Sequence, residues 1–87
     1  MSMSEIESEV LDELYFLTSF EDLFKNAGLT QKEVKSALKS LLSKQYISQH
    51  LYSEKLKDFE RCTAPDFENL EQFHYLATKQ GLLAQHT

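Results

Sequence analysis

Residues Thr30 to Ser43, T-Q-K-E-V-K-S-A-L-K-S-L-L-S, constrain the chain more than any other stretch, because they fit a helix both at its start and around its sides. Thr30 followed three positions later by Glu33 is an N-terminal signature, in which the hydroxyl accepts an orphan amide and the carboxylate reaches back to the cap. Taking 100° per residue from Val34, Leu38 falls at about 40°, Leu41 at about −20° and Leu42 at about 80°, which is one apolar stripe. On the other side Lys35, Lys39 and Lys32 fall at about 100°, 140° and 160°, with Ser43 and Ser36 near 180° and 200°. Gln31, at about 60°, stands at the edge of the stripe. Every charge on the outward side is positive.

Two further helices are predicted before this one. Ile6, Val10, Leu11, Leu14, Tyr15 and Leu17 recur at spacings of three and four, while Glu7, Asp12 and Glu13 fall elsewhere around the turn. A short second helix opens at Ser19 with Asp22 three residues on, buries Phe20, Leu23, Phe24 and Ala27, and stops at Gly28, where a left-handed residue is favoured. After the lysine-bearing helix the period changes. Residues 47–52 are read as a strand, 72–77 as its partner, and Thr78 as the start of a last short helix. The stretch 53–71 is too long for a hairpin loop and is expected to hold structure of its own, with Leu56, Phe59 and Phe67 as anchors and Thr63-Ala64-Pro65-Asp66 as its break. Only two glycines and one proline in 87 residues argue against a turn-rich sandwich.

Charge is unevenly placed along the chain. Met1 to Phe24 holds seven acids and no base, Lys25 to Lys57 seven bases against two acids, and Asp58 to Thr87 five acids against two bases. A net charge of −5 therefore coexists with a cationic middle third. No apolar run approaches the ~20 residues of a membrane span, so no membrane partner is expected. The opening M-S-M-S-E-I-E-S-E carries acids where a secretion signal carries bases, and the lone Cys62 can form no internal disulfide. A cytoplasmic protein is expected.

Three helices, a hairpin and a short closing helix make an α+β domain that resembles a winged helix-turn-helix. The resemblance is carried by Leu29 to Ile47, L-T-Q-K-E-V-K-S-A-L-K-S-L-L-S-K-Q-Y-I, which looks like the third helix and first wing strand of the MarR-like bacterial transcriptional regulators. A second match is Y-L-A-T-K-Q-G-L-L, Tyr75 to Leu83, where Tyr75, Thr78 and Gly81 fit the family pattern and Ala77 replaces its leucine. Gln45 stands where the family commonly has glycine, so the turn there needs another backbone conformation or some strain. The resemblance implies one winged-helix domain over residues 1–87, with an extended wing at about 53–71.

It also implies a function: the DNA-binding domain of a small transcriptional regulator, its third helix in the major groove of double-stranded DNA and its wing near the flanking groove. Lys32, Lys35 and Lys39 would meet phosphates, Ser36 and Ser43 would offer short hydroxyls, and Gln31 would read adenine from the first turn. Lys55 and Lys57 would reach phosphate from the wing. No arginine stands on the helix to make the bidentate guanine contact. The rival from another class is a protein-interaction or adaptor module without DNA binding, in which the anionic first helix meets a basic partner or the cationic face of another copy in a homodimer. No catalytic residues and no cofactor are expected. His50, His74 and His86 lack a known metal-ligand spacing, no serine has an assembled base, and no glycine-rich segment could cradle a phosphate.

Overall fold

The computed structural model describes residues 3–85. The Thr30–Glu33 capping box forms as the sequence predicts, and a second one stands at the start of the first helix. Helix α1, Glu5–Asp12, starts where the Ser4 hydroxyl accepts from the Glu7 amide and Glu7 reaches back to the Ser4 amide. Helix α3, Gln31–Ser43, starts with the same exchange between Thr30 and Glu33. Between them lies α2, Phe20–Ala27, capped by the Ser19 hydroxyl and ended by Gly28 in the left-handed region at φ 68°.

The expected sequence of three helices followed by a simple hairpin wing is not what the chain forms. A strand, β1 (Thr18–Ser19), sits between α1 and α2, and after α3 come β2 (Ile47–Ser53), β3 (Asp58–Arg61), a 3-10 turn (Leu70–Gln72), β4 (His74–Ala77) and α4 (Lys79–Gln85). All four strands join one antiparallel sheet in the order β1-β4-β2-β3. Helices and strands are thus interleaved throughout, and the resemblance to the MarR-like winged helix is corrected accordingly. The reason is long-range pairing that a local reading does not see. The Leu14 carbonyl accepts from the Ala77 amide at 2.8 Å, which draws the chain out of the helical path and leaves Tyr15, Phe16 and Leu17 exposed beyond it. Thr18 and Ser19 then pair with Tyr75 and His74.

Strand β2 pairs on one side with β4, from Ile47 opposite Ala77 to His50 opposite His74, and on the other with β3, from His50 opposite Arg61 to Ser53 opposite Asp58. The region expected to be a wing insertion therefore supplies an edge strand and a return loop. The inner face of the sheet meets α1, α2 and α3. Val10, Leu11, Leu14, Leu23, Val34, Leu38 and Leu41 are fully buried there, together with Tyr75 from β4. Burying each such side chain favours folding by about 1.5–3 kcal/mol before chain entropy is counted.

Two polar devices lock the layers together. The buried Tyr75 hydroxyl donates to the Leu70 carbonyl at 2.7 Å and accepts from Gln49 Nε2 at 3.3 Å. Gln49 in turn accepts from the Asp66 amide and donates to the Asp66 carbonyl, so one side chain pins the return loop to the sheet. At the end of the sheet, α4 rests on the α3–β2 turn. The Thr78 hydroxyl donates to the Gln45 carbonyl, and Gln45 itself is held at φ 64°. A β-carbon on Gly81 would lie 2.1 Å from the Tyr46 carbonyl oxygen, so only glycine allows this approach.

Candidate interaction surface

The sequence places its candidate residues on α3, and the fold does bring most of them together. Gln31, Lys32, Lys35, Ser36 and Lys39 line one shallow depression on the outward side of the helix. Ser43 lies a turn further on, its hydroxyl donating to the Lys39 carbonyl at 2.9 Å. Lys55 and Lys57 stand apart, exposed in the turn between β2 and β3. Lys35 is engaged within the molecule: its ammonium lies 2.7 Å from a Glu71 carboxylate oxygen.

A DNA-binding regulator with α3 in the major groove is overturned by the topology. That docking needs a helix-turn-helix presented beside a free hairpin wing. Here the expected wing strand β4 lies inside a sheet that begins with β1, and the lysine in the middle of the helix face is paired with the chain's own acid. Among the described residues no three histidine, cysteine, aspartate or glutamate side chains cluster as a metal site, and no helix is long and apolar enough to cross a membrane. His86 lies outside the described residues. Cys62 is half-buried, and burial, with Asp66 and Glu60 nearby, pushes its thiol above the ordinary value of 9.0 rather than toward reactivity.

The feature that sequence reasoning missed is the other face of the sheet. Cross-strand partners share a face, so the register gathers Ser19 and His74, Ser48 and Leu76, His50 and Arg61, and Tyr52 and Phe59 on one side. Tyr75 and Gln49 alternate with these and point into the core. The three central helices pack on the inner side; on the outer side Tyr52 and Arg61 are exposed, Ser19, His50, Phe59, His74 and Leu76 are half-buried and Ser48 is buried. On it the Tyr52 and Phe59 rings meet edge to face with centroids 5.3 Å apart, and Phe59 lies 4.5 Å from the His74 ring. Phe59, expected as a core anchor, is instead a half-buried member of an aromatic row. Tyr52 remains 45% exposed.

Every ionisable group on this face by register is basic or phenolic. His50 sits between Arg61 and His74. Burial, then the charges of Arg61 and His74, hold its imidazole below the ordinary value of 6.5, and no carboxylate counters them. Its Nε2 lies 2.8 Å from the Ser48 hydroxyl, which also donates to the Leu76 carbonyl at 3.2 Å. Asp58 and Glu60, alternating with Phe59 and Arg61, belong to the opposite face. The signal for this in sequence is the D-F-E-R alternation at 58–61, legible only once that segment is known to be a strand.

No family model, curated protein or solved structure matches this chain.

Proposed function

We propose that this domain is a protein-interaction module that docks its partner on the outer face of the sheet. What supports the reading is one observation: an aromatic row, Tyr52, Phe59 and His74, lies on the side of the sheet turned away from the central helices. Aromatic rings of this kind are enriched where proteins meet, since they bury much area at small entropic cost. Phe16, 82% exposed where the chain leaves α1 for β1, adds an apolar side chain that no core contact explains. In this reading the chain performs no chemistry itself, and it works in the cytoplasm, as its single cysteine suggests.

The test is site-specific photo-cross-linking in cells that express the chain. A benzophenone amino acid in place of Tyr52 is expected to give protein adducts, and the same group in place of Lys39 on α3 is expected to give far fewer. Adducts that are equal at the two positions, or that contain only nucleic acid, overturn the proposal.

A further inference from the structure

Strand β2 runs on past the strand beside it. Its ladder with β3 ends at His50 opposite Arg61, followed by one last bond in which the Gln49 carbonyl accepts from the Cys62 amide at 2.8 Å. On its other side β2 stays paired with β4 as far as Ile47 opposite Ala77. Bonded and non-bonded partners alternate along an antiparallel pair. The Tyr46 carbonyl accepts from the Thr78 amide at 2.9 Å, so the next pair, Ile47 and Ala77, is a non-bonded one, and Ala77 gives its amide to the Leu14 carbonyl on the far side. The amide and the carbonyl of Ile47 therefore both point to the side that β3 has left. The position a strand would take there is a cleft of about 600 Å³ between the 62–65 loop and the start of α4, a volume within the range of ligand clefts. Arg61 and Lys79 line it and no Asp or Glu does; among the described residues neither cation forms an ion pair. The Ser43, Ser48 and Thr78 hydroxyls in the cleft already donate to the Lys39, Leu76 and Gln45 carbonyls.

We infer that this cleft receives an extended, acid-bearing segment of a partner protein, which adds as a short strand beside Ile47 with its carboxylate between Arg61 and Lys79. This rests on the interaction reading above and gives the partner its chemistry, since Arg61 and Ser48 belong both to the cleft and to the outer face that carries Tyr52 and Phe59. A donor and an acceptor on one residue of a strand edge match the backbone of another extended chain. A phosphate or a free anion would satisfy the amide and the cations but has no donor for the Ile47 carbonyl. The two cations without a lining acid select a segment that carries Asp or Glu. One residue of free edge supplies only two backbone bonds, so the charge pairing and the contacts on the outer face contribute the rest of the affinity.

Amide hydrogen exchange, read by NMR on the full isotopically labelled chain, tests the inference. In the free chain the Ile47 amide is expected to exchange at least about tenfold faster than those of Ser48 and His50, which face β4. The probe is a peptide enriched on the immobilised full chain from a phage-displayed library of short random sequences. It is expected to carry Asp or Glu among β-branched residues and to slow Ile47 exchange at least about tenfold. Arg61→Glu and Lys79→Glu are each expected to bind it at least about tenfold more weakly, whereas Lys39→Glu binds it unchanged, and circular dichroism checks that each variant folds. N-methylation of the peptide at alternate amides is expected to abolish binding in one register only, which a purely electrostatic contact does not do. A library without a binder, a bound peptide that leaves Ile47 exchange as it was, or binding that survives N-methylation in both registers overturns the inference. Cross-linking at position 52 separates the two failures: a captured protein that shifts the Tyr52 and Phe59 amides without slowing Ile47 removes the inference and leaves the interaction reading standing, and no protein adduct removes both.

Discussion

The Glu7 carboxylate lies 2.8 Å from the Lys44 ammonium, joining the start of α1 to the residue that caps the end of α3. The same carboxylate oxygen accepts from the Ser40 hydroxyl at 2.9 Å, and its other oxygen accepts from the Ser4 amide at 3.2 Å. Burial by itself would raise the Glu7 acid, but the bonds from Lys44, Ser4 and Ser40 outweigh it and hold the group below its ordinary 4.5. A carboxyl lowered on folding stabilises the folded state above its unfolded value, and that contribution is lost as pH falls through the folded value. Glu7→Gln is therefore expected to cost about 1–2 kcal/mol near neutrality, and the gap from wild type to narrow as pH falls below 4.5. Urea denaturation from pH 7 to pH 3 measures both.

Tyr75 gives the opposite pH dependence. Burial pushes its phenol from 10.0 up to about 12, against the lowering effect of the Gln49 bond. The folded state holds this proton more tightly than the unfolded chain does. Its contribution is thus complete below pH 10 and disappears between pH 10 and about 12. Tyr75→Phe removes the hydroxyl from the Leu70 carbonyl and from Gln49, and is expected to cost about 1–3 kcal/mol at pH 7. The difference from wild type should narrow above pH 10, as followed by thermal melts across that range.

Two backbone positions, Gln45 in the α3–β2 turn and Gly81 in the α4 helix resting on it, should respond in opposite directions. Gln45 occupies the left-handed region at φ 64°, where a side chain costs about 1 kcal/mol relative to glycine. Gln45→Gly is expected to stabilise by about 0.5–1 kcal/mol. Gly81→Ala places a methyl group against the Tyr46 carbonyl and is expected to cost at least about 2 kcal/mol by forcing α4 off the turn. Paired denaturation curves of the two variants check both signs.

How much of this was legible before the fold is clearest at α3. Its cap, its stripe and the Gly28 stop that precedes it are local signals, and all three appear in the structure. So does the pairing of the strands that carry His50 and His74. The end of α1 was not legible, because the apolar period continues through Leu17 while the Leu14 carbonyl is claimed by Ala77, more than sixty residues away. Strand β3 has a single apolar residue, Phe59, and its preceding turn uses Lys57 at φ 54° where a glycine would have announced it. The lysine face of α3 could be drawn from a helical wheel. The outer sheet face could not, since it exists only through the register of four segments spread from Thr18 to Ala77.

The most direct test is an amide NMR titration of the isotopically labelled chain with the protein captured by cross-linking at position 52. The amides of Tyr52, Phe59, His74 and Leu76 are expected to shift progressively as that protein is added, while those of Lys32 and Lys39 on α3 stay fixed. Shifts confined to α3, or none at Tyr52, Phe59, His74 and Leu76, would contradict docking on this face of the sheet.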